Sequence, residues 1–91
     1  MPVLMHDKKD DVGIAVSDIT AGTTTECSLL TGEVLRSVRA REAVPFGHKI
    51  ALRDVADGSA VIEYGEGIGT AKGPIAVGSL VHVHNLRSAR W

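Results

Sequence analysis

Aromatic residues are scarce: the 91-residue chain has one Phe, one Tyr and one Trp. That removes the row of stacking side chains with which single-stranded nucleic acid is held. Net charge is also missing, since ten Lys and Arg nearly cancel eleven Asp and Glu. Without a broad field of either sign, neither nucleic acid nor an anionic membrane surface is an expected partner. Cysteine is limited to Cys27, so no disulfide can form within the chain, and a reducing cytoplasm is the expected compartment. At the amino terminus Met1-Pro2-Val3-Leu4-Met5 runs into His6-Asp7-Lys8-Lys9-Asp10-Asp11, an apolar run too short for a signal peptide or a membrane span. Length sets a further bound. A single domain of this size buries roughly 60–65% of its unfolded surface and has no room for both a core and a deep cleft.

What the chain does have is glycine, ten in all, placed between short apolar runs. The runs at 12–16, 33–40, 49–52, 60–64 and 80–84 are rich in β-branched or alternating residues and predict strands. The expected fold is therefore mainly β, many short strands turned through tight corners, with at most one short helix. Only 27–30 and 39–43 leave space for a helical turn. A weak repeat runs through Asp18-Ile19-Thr20-Ala21-Gly22, Asp54-Val55-Ala56-Asp57-Gly58 and Pro74-Ile75-Ala76-Val77-Gly78. Its apolar residue should plug the core, and its Gly should take a positive φ in the turn. The domain is expected over residues 1–85, with 86–91 as a tail. Arg87, Arg90 and Trp91 in that tail are either a frayed terminus or an interface anchor.

The most distinctive local pattern is His82-Val83-His84-Asn85. On a strand, residues two apart share a face, so both imidazoles would project together with Cα atoms about 6.6 Å apart, while Val81 and Val83 face the core. Two neutral imidazoles can ligate a divalent metal, yet a closed site needs four ligands and a catalytic one three plus water. His82 and His84 thus supply half a site at most, which another chain would complete. The plain alternative is a pair of exposed histidines without a ligand. His48 would join them if the Pro45-Phe46-Gly47-His48-Lys49 turn folded over the strand, and Asn85 could position a substrate hydroxyl or carboxylate. His48 and Lys49 form either a backbone-bonded corner or a cationic pair facing a carboxylate, with Arg53 further off. Cys27 lacks the neighbours of a catalytic thiol and reads as packed. Gly65-Glu66-Gly67-Ile68-Gly69 lacks the following helix that a phosphate cradle requires, which leaves a hairpin or bulge.

In order along the chain stand His6, Asp11-Val12-Gly13-Ile14-Ala15-Val16-Ser17-Asp18-Ile19, Pro45-Phe46-Gly47-His48-Lys49-Ile50-Ala51-Leu52-Arg53-Asp54, Ile62-Glu63-Tyr64-Gly65-Glu66-Gly67-Ile68-Gly69 and His82-Val83-His84-Asn85-Leu86. This series resembles the amino-terminal SAF domain of the altronate/galactarate dehydratase family, which has a β-clip fold. The resemblance spans nearly the whole chain; it departs at Asp7, where a Pro is common, and over 21–40. In that family the domain either precedes a larger catalytic domain or is a separate small subunit, and a chain ending at Trp91 looks like the separate form. Family members dehydrate sugar acids such as altronate, and a related two-subunit sulfolactate sulfo-lyase expels sulfite.

The resemblance implies a lyase, inactive without its large subunit, with a divalent metal such as iron held mainly by that subunit. In such an elimination a base takes the α proton while a metal stabilises the enediolate. The implied roles are catalytic for His48, Lys49 and His84, substrate-binding for Arg53 and Asn85, and partial metal ligation for His82 and His84. The expected partners are the large dehydratase-like subunit and a small sugar acid or sulfonated hydroxy acid, with a homo-oligomer as a further form. The tail would contact the large subunit. An alternative of another class is a non-catalytic SAF module that binds a sugar acid or organises subunits.

Overall fold

Alternation and turn chemistry suffice to build nine short strands and no helix among the described residues, which in this computed structural model are 3–88. The strands are β1 (Val3–Met5), β2 (Val12–Ala15), β3 (Thr24–Leu29), β4 (Val34–Arg39), β5 (Lys49–Ala51), β6 (Ala60–Glu63), β7 (Glu66–Ala71), β8 (Leu80–Val81) and β9 (Leu86–Ser88). Six of them form one sheet in the order β4-β3-β1-β2-β5-β8, and β6-β7-β9 form a second. All pairings are antiparallel except β1 with β3.

A fourfold pattern organises the corners. The sequence Ala-x-x-x-(Ile/Val)-x-x-Gly occurs at Ala15–Ile19–Gly22, Ala40–Val44–Gly47, Ala51–Val55–Gly58 and Ala71–Ile75–Gly78. Each of the four Ala and the four Ile or Val side chains is buried, and each Gly has a positive φ. The copies meet in pairs. Ile19 and Val44 exchange two backbone hydrogen bonds of 2.9 Å, and Val55 and Ile75 exchange two of 2.8 Å. In each pair one Asp ties the corner, because Asp18 Oδ1 accepts from the Phe46 N–H and Asp54 Oδ1 from the Val77 N–H, both at 2.8 Å. The first pair belongs to a core cluster with Val3, Met5, Cys27, Ile50 and Leu52. The second belongs to a cluster with Val12, Val61, Ala71 and Val81. Three copies are visible in sequence as short motifs; the copy at Val44 is hidden because Pro45 and Phe46 disguise it.

Several expectations change. Residues 27–30 and 39–43 are not helical turns: Cys27 lies inside β3, where Thr25 and Cys27 alternate inward against exposed Thr24 and Glu26. A strand on one wet face reads as polar, which conceals it in composition. The 80–84 strand stops at Val81, and 82–85 is a turn closed by the N–H groups of Asn85 and Leu86 on the His82 carbonyl. Val83 is accordingly 70% exposed rather than core-facing. Leu86–Ser88, expected in the tail, pairs with β7 as β9, while Arg90 and Trp91 lie outside the described residues. The glycine-rich stretch is a hairpin as expected. Tyr64 and Gly65, with φ of 59° and 74°, make its two-residue turn between the paired Glu63 and Glu66. Two positive φ values match the right-handed twist of the strands they join.

Candidate functional site

The β5–β8 ladder assembles the site. Lys49 pairs with Val81 in this antiparallel register, so the preceding residue His48 stands across from the following residue His82. Residues directly opposite on antiparallel strands share a face. The two imidazole rings are 5.3 Å apart between centroids and tilted by 56°. His48 is half-buried, and its Nδ1 lies 3.3 Å from the Phe46 carbonyl oxygen; His82 is exposed. The Pro45–His48 corner therefore does fold against this end of the sheet, held by the His48 N–H on the Pro45 carbonyl and by the Gly47 N–H on the Ala15 carbonyl.

Lys49 and His48 alternate along the chain, and Lys49 leads to a different neighbour. Its Nζ is 3.8 Å from Glu63 Oε1, with the Glu63 side chain only 11% exposed. Glu63 Oε2 is buried and has no hydrogen-bond partner among the described residues. Both side chains line a shallow cleft of about 350 Å³ among β5, β6, β7 and β9, with Glu66, Ile68, Leu86 and Ser88 on its walls. Glu63 is a residue that sequence reasoning passed over. Its position before the Tyr64-Gly65 turn, at the end of an alternating strand, is the signal that would have marked it.

Asn85 is placed by structure as the lock of the 82–85 turn. Its Oδ1 accepts the His82 N–H at 2.9 Å and its Nδ2 donates to the Leu80 carbonyl at 2.8 Å. Both ends of the amide are thus engaged with backbone. His84 is exposed on the same turn, and His82 and His84 do not stand on a strand, so the face-sharing geometry expected of them is not present. Arg53 is also committed: its Nε sits 3.1 Å from Asp11 Oδ1 and it donates to the Asp10 carbonyl at 3.3 Å.

Two buried aspartates missed in sequence support that end of the molecule. Asp10, fully buried, accepts the N–H groups of His6 and Asp7 with Oδ2 and that of Gly65 with Oδ1. Asp11 Oδ2 accepts the Ile62 N–H at 2.8 Å, tying the loop before β2 to β6. The His6 ring then stacks on Tyr64 at 4.6 Å. Cys27 is fully buried, and loss of hydration pushes its thiol up to about 11, with the Arg36 charge opposing in part. That is a packed thiol, not a nucleophile. Among the described residues no three His, Cys, Asp or Glu side chains converge as metal ligands.

Comparison with known proteins finds relatives of the chain. The chain is 38% identical to the (2R)-sulfolactate sulfo-lyase subunit alpha of Chromohalobacter salexigens, over 97% of this chain and 95% of that protein. It is 42% identical to the altronate dehydratase of Escherichia coli, over 87% of this chain but only 15% of that longer protein. A (2R)-sulfolactate sulfo-lyase subunit alpha from Paracoccus pantotrophus is 44% identical over 57% of this chain and 78% of its own length. The model of the altronate/galactarate dehydratase SAF domain matches residues 1–89, and the chain belongs to that family.

Proposed function

We propose that the chain is the small component of a lyase of the altronate dehydratase type, contributing His48, Lys49 and the 82–85 turn to an active site that a larger catalytic partner completes. The substrate is a small 2-hydroxy carboxylate, from which loss of the α proton and of a group on the neighbouring carbon leaves an enol that becomes a 2-keto acid. The observation that carries this reading is the meeting of His48 and His82 across the β5–β8 register, with Lys49 beside His48 in the chain and turned to the adjoining face, in a family whose named relatives are lyases. Imidazole serves as base or acid near neutral pH. Lys49 supplies positive charge toward a carboxylate, tempered by Glu63. His84, exposed on the turn, is available for proton transfer to a substrate brought by the partner. Arg53 and Asn85 act on substrate indirectly, by holding the Asp10–Asp11 loop and the 82–85 turn. The divalent metal, iron or a similar ion, belongs mainly to the partner in this proposal. A cytoplasmic setting is part of the same proposal.

A second reading changes the leaving group to sulfite. Its support is the likeness to a sulfo-lyase alpha subunit over nearly the full length of both proteins. Both readings are tested by co-producing the chain with a dehydratase-like large chain and assaying altronate and sulfolactate for 2-keto acid. Sulfite release from sulfolactate selects the second. Replacement of His48 or His84 by Ala should lower turnover by about 10²-fold, the scale of a lost acid or base or of a lost metal ligand. Full turnover by both variants in an intact complex would instead identify a non-catalytic assembly module.

A further inference from the structure

We propose that His48 and His82, rather than His82 and His84, form a two-histidine half-site for a divalent transition metal, which rests on the reading above only for the chain that completes it. The argument is geometric. Two imidazole nitrogens each 2.0–2.1 Å from one tetrahedral ion hold their ring centroids roughly 5 Å apart. The His48 and His82 centroids are 5.3 Å apart with the rings tilted by 56°.

One tautomer of His48 suits this role. With the His48 Nδ1–H donating to the Phe46 carbonyl at 3.3 Å, Nε2 keeps its lone pair for a ligand. A backbone carbonyl on the distal ring nitrogen is the usual support of a metal-bound histidine. His82 is held from the backbone side: its N–H is bound by Asn85 Oδ1 and its carbonyl accepts from Asn85 and Leu86. The backbone ordering that metal binding demands is thus largely met in the folded chain. His84 has no such pairing with a neighbouring ring. Nearby carboxylates are committed elsewhere, Glu63 to Lys49, Asp18 to the Phe46 N–H and Glu42 to the Leu80 N–H, and among the described residues no third ligand converges. The remaining coordination positions therefore fall to water or to the partner chain.

The test uses the full chain alone, titrated with Zn²⁺ and Ni²⁺ and followed by calorimetry and by ¹H–¹⁵N correlations of the imidazole nitrogens. Expected is stoichiometric binding with ring signals of His48 and His82 shifted or broadened and those of His6 and His84 unchanged. His48→Asn or His82→Asn should weaken binding by at least about tenfold, whereas His84→Asn should change it by less than about twofold. Ring shifts in the unmodified chain need no variant, so a misfolded His48→Asn does not shield the proposal. Absence of binding at millimolar metal, or loss of binding in His84→Asn but not in His48→Asn, overturns it. No turnover enters these readouts. A chain that binds metal through His48 and His82 yet supports no lyase would sink the functional reading and leave the half-site standing; the reverse result would do the opposite.

Discussion

Lys49 reaches across from β5 to Glu63 at the end of β6, Nζ to Oε1 at 3.8 Å, while the other oxygen of that carboxylate is buried with no hydrogen-bond partner among the described residues. A buried carboxylate depends heavily on its one cation. The Lys49 side chain keeps 34% exposure, so water screens the pair in part. Lys49→Met should destabilise the chain by about 1 kcal/mol, and Glu63→Gln added to it should restore most of that loss. Urea denaturation of the two single variants and the double gives the coupling; simple additivity would show that the pair contributes nothing.

For Asn85, stability separates a structural role from a substrate role. Loss of its bonds to the His82 N–H and the Leu80 carbonyl in Asn85→Ala should cost about 1–2 kcal/mol in denaturant unfolding without any ligand present. Asn85→Asp keeps the acceptor but sets a carboxylate oxygen against the Leu80 carbonyl, so it should recover little. Unchanged unfolding midpoints in both variants would return Asn85 to the substrate.

Gly78 and Gly58 occupy equivalent corners with φ of +89° and +79°. At Gly58 a Cβ meets nothing within 4 Å, whereas at Gly78 it collides with the Arg39 carbonyl oxygen. Gly58→Ala should cost roughly 1 kcal/mol, the positive-φ penalty alone, and Gly78→Ala at least about 2 kcal/mol more. Thermal melts of the two variants side by side check the difference.

Cys27 has a pH signature. Its thiol is raised from 9.0 to about 11 in the fold, chiefly by burial. Between those values the unfolded chain loses the proton that the folded chain retains, so stability present below pH 9 should fall as pH rises toward 11. The full effect is about 3 kcal/mol. Urea midpoints measured from pH 8 to 11 should decline less steeply in Cys27→Ala, and a thiol reagent at pH 8 should label the native chain only as it unfolds.

Most of the strands are legible because their signal is local. Val12, Ile50 and Val61 sit in alternating or β-branched runs, and Gly22, Gly58 and Gly78 mark the corners that follow. β3 is not, since Thr24, Thr25, Glu26 and Ser28 dilute a face that only packing shows to be buried. The end of β8 is not either. Val81-His82-Val83-His84 alternates as a strand does, yet the Asn85 side chain captures the His82 N–H and bends the chain into a turn. Such side-chain capping competes directly with the ladder for the same donor.

By itself the sequence determined a mainly β domain with tight glycine corners, a chemistry centred on His48, Lys49 and the His82–Asn85 segment, and its family. Tertiary structure decided which of those residues meet. His48 faces His82 because the register of β5 on β8 puts them opposite, Lys49 meets Glu63 across two sheets, and Asn85 spends both ends of its amide on backbone. Composition and spacing describe one strand at a time, whereas register is set by how buried faces of distant segments pack together. A one-residue slip would turn each of these side chains to the other face.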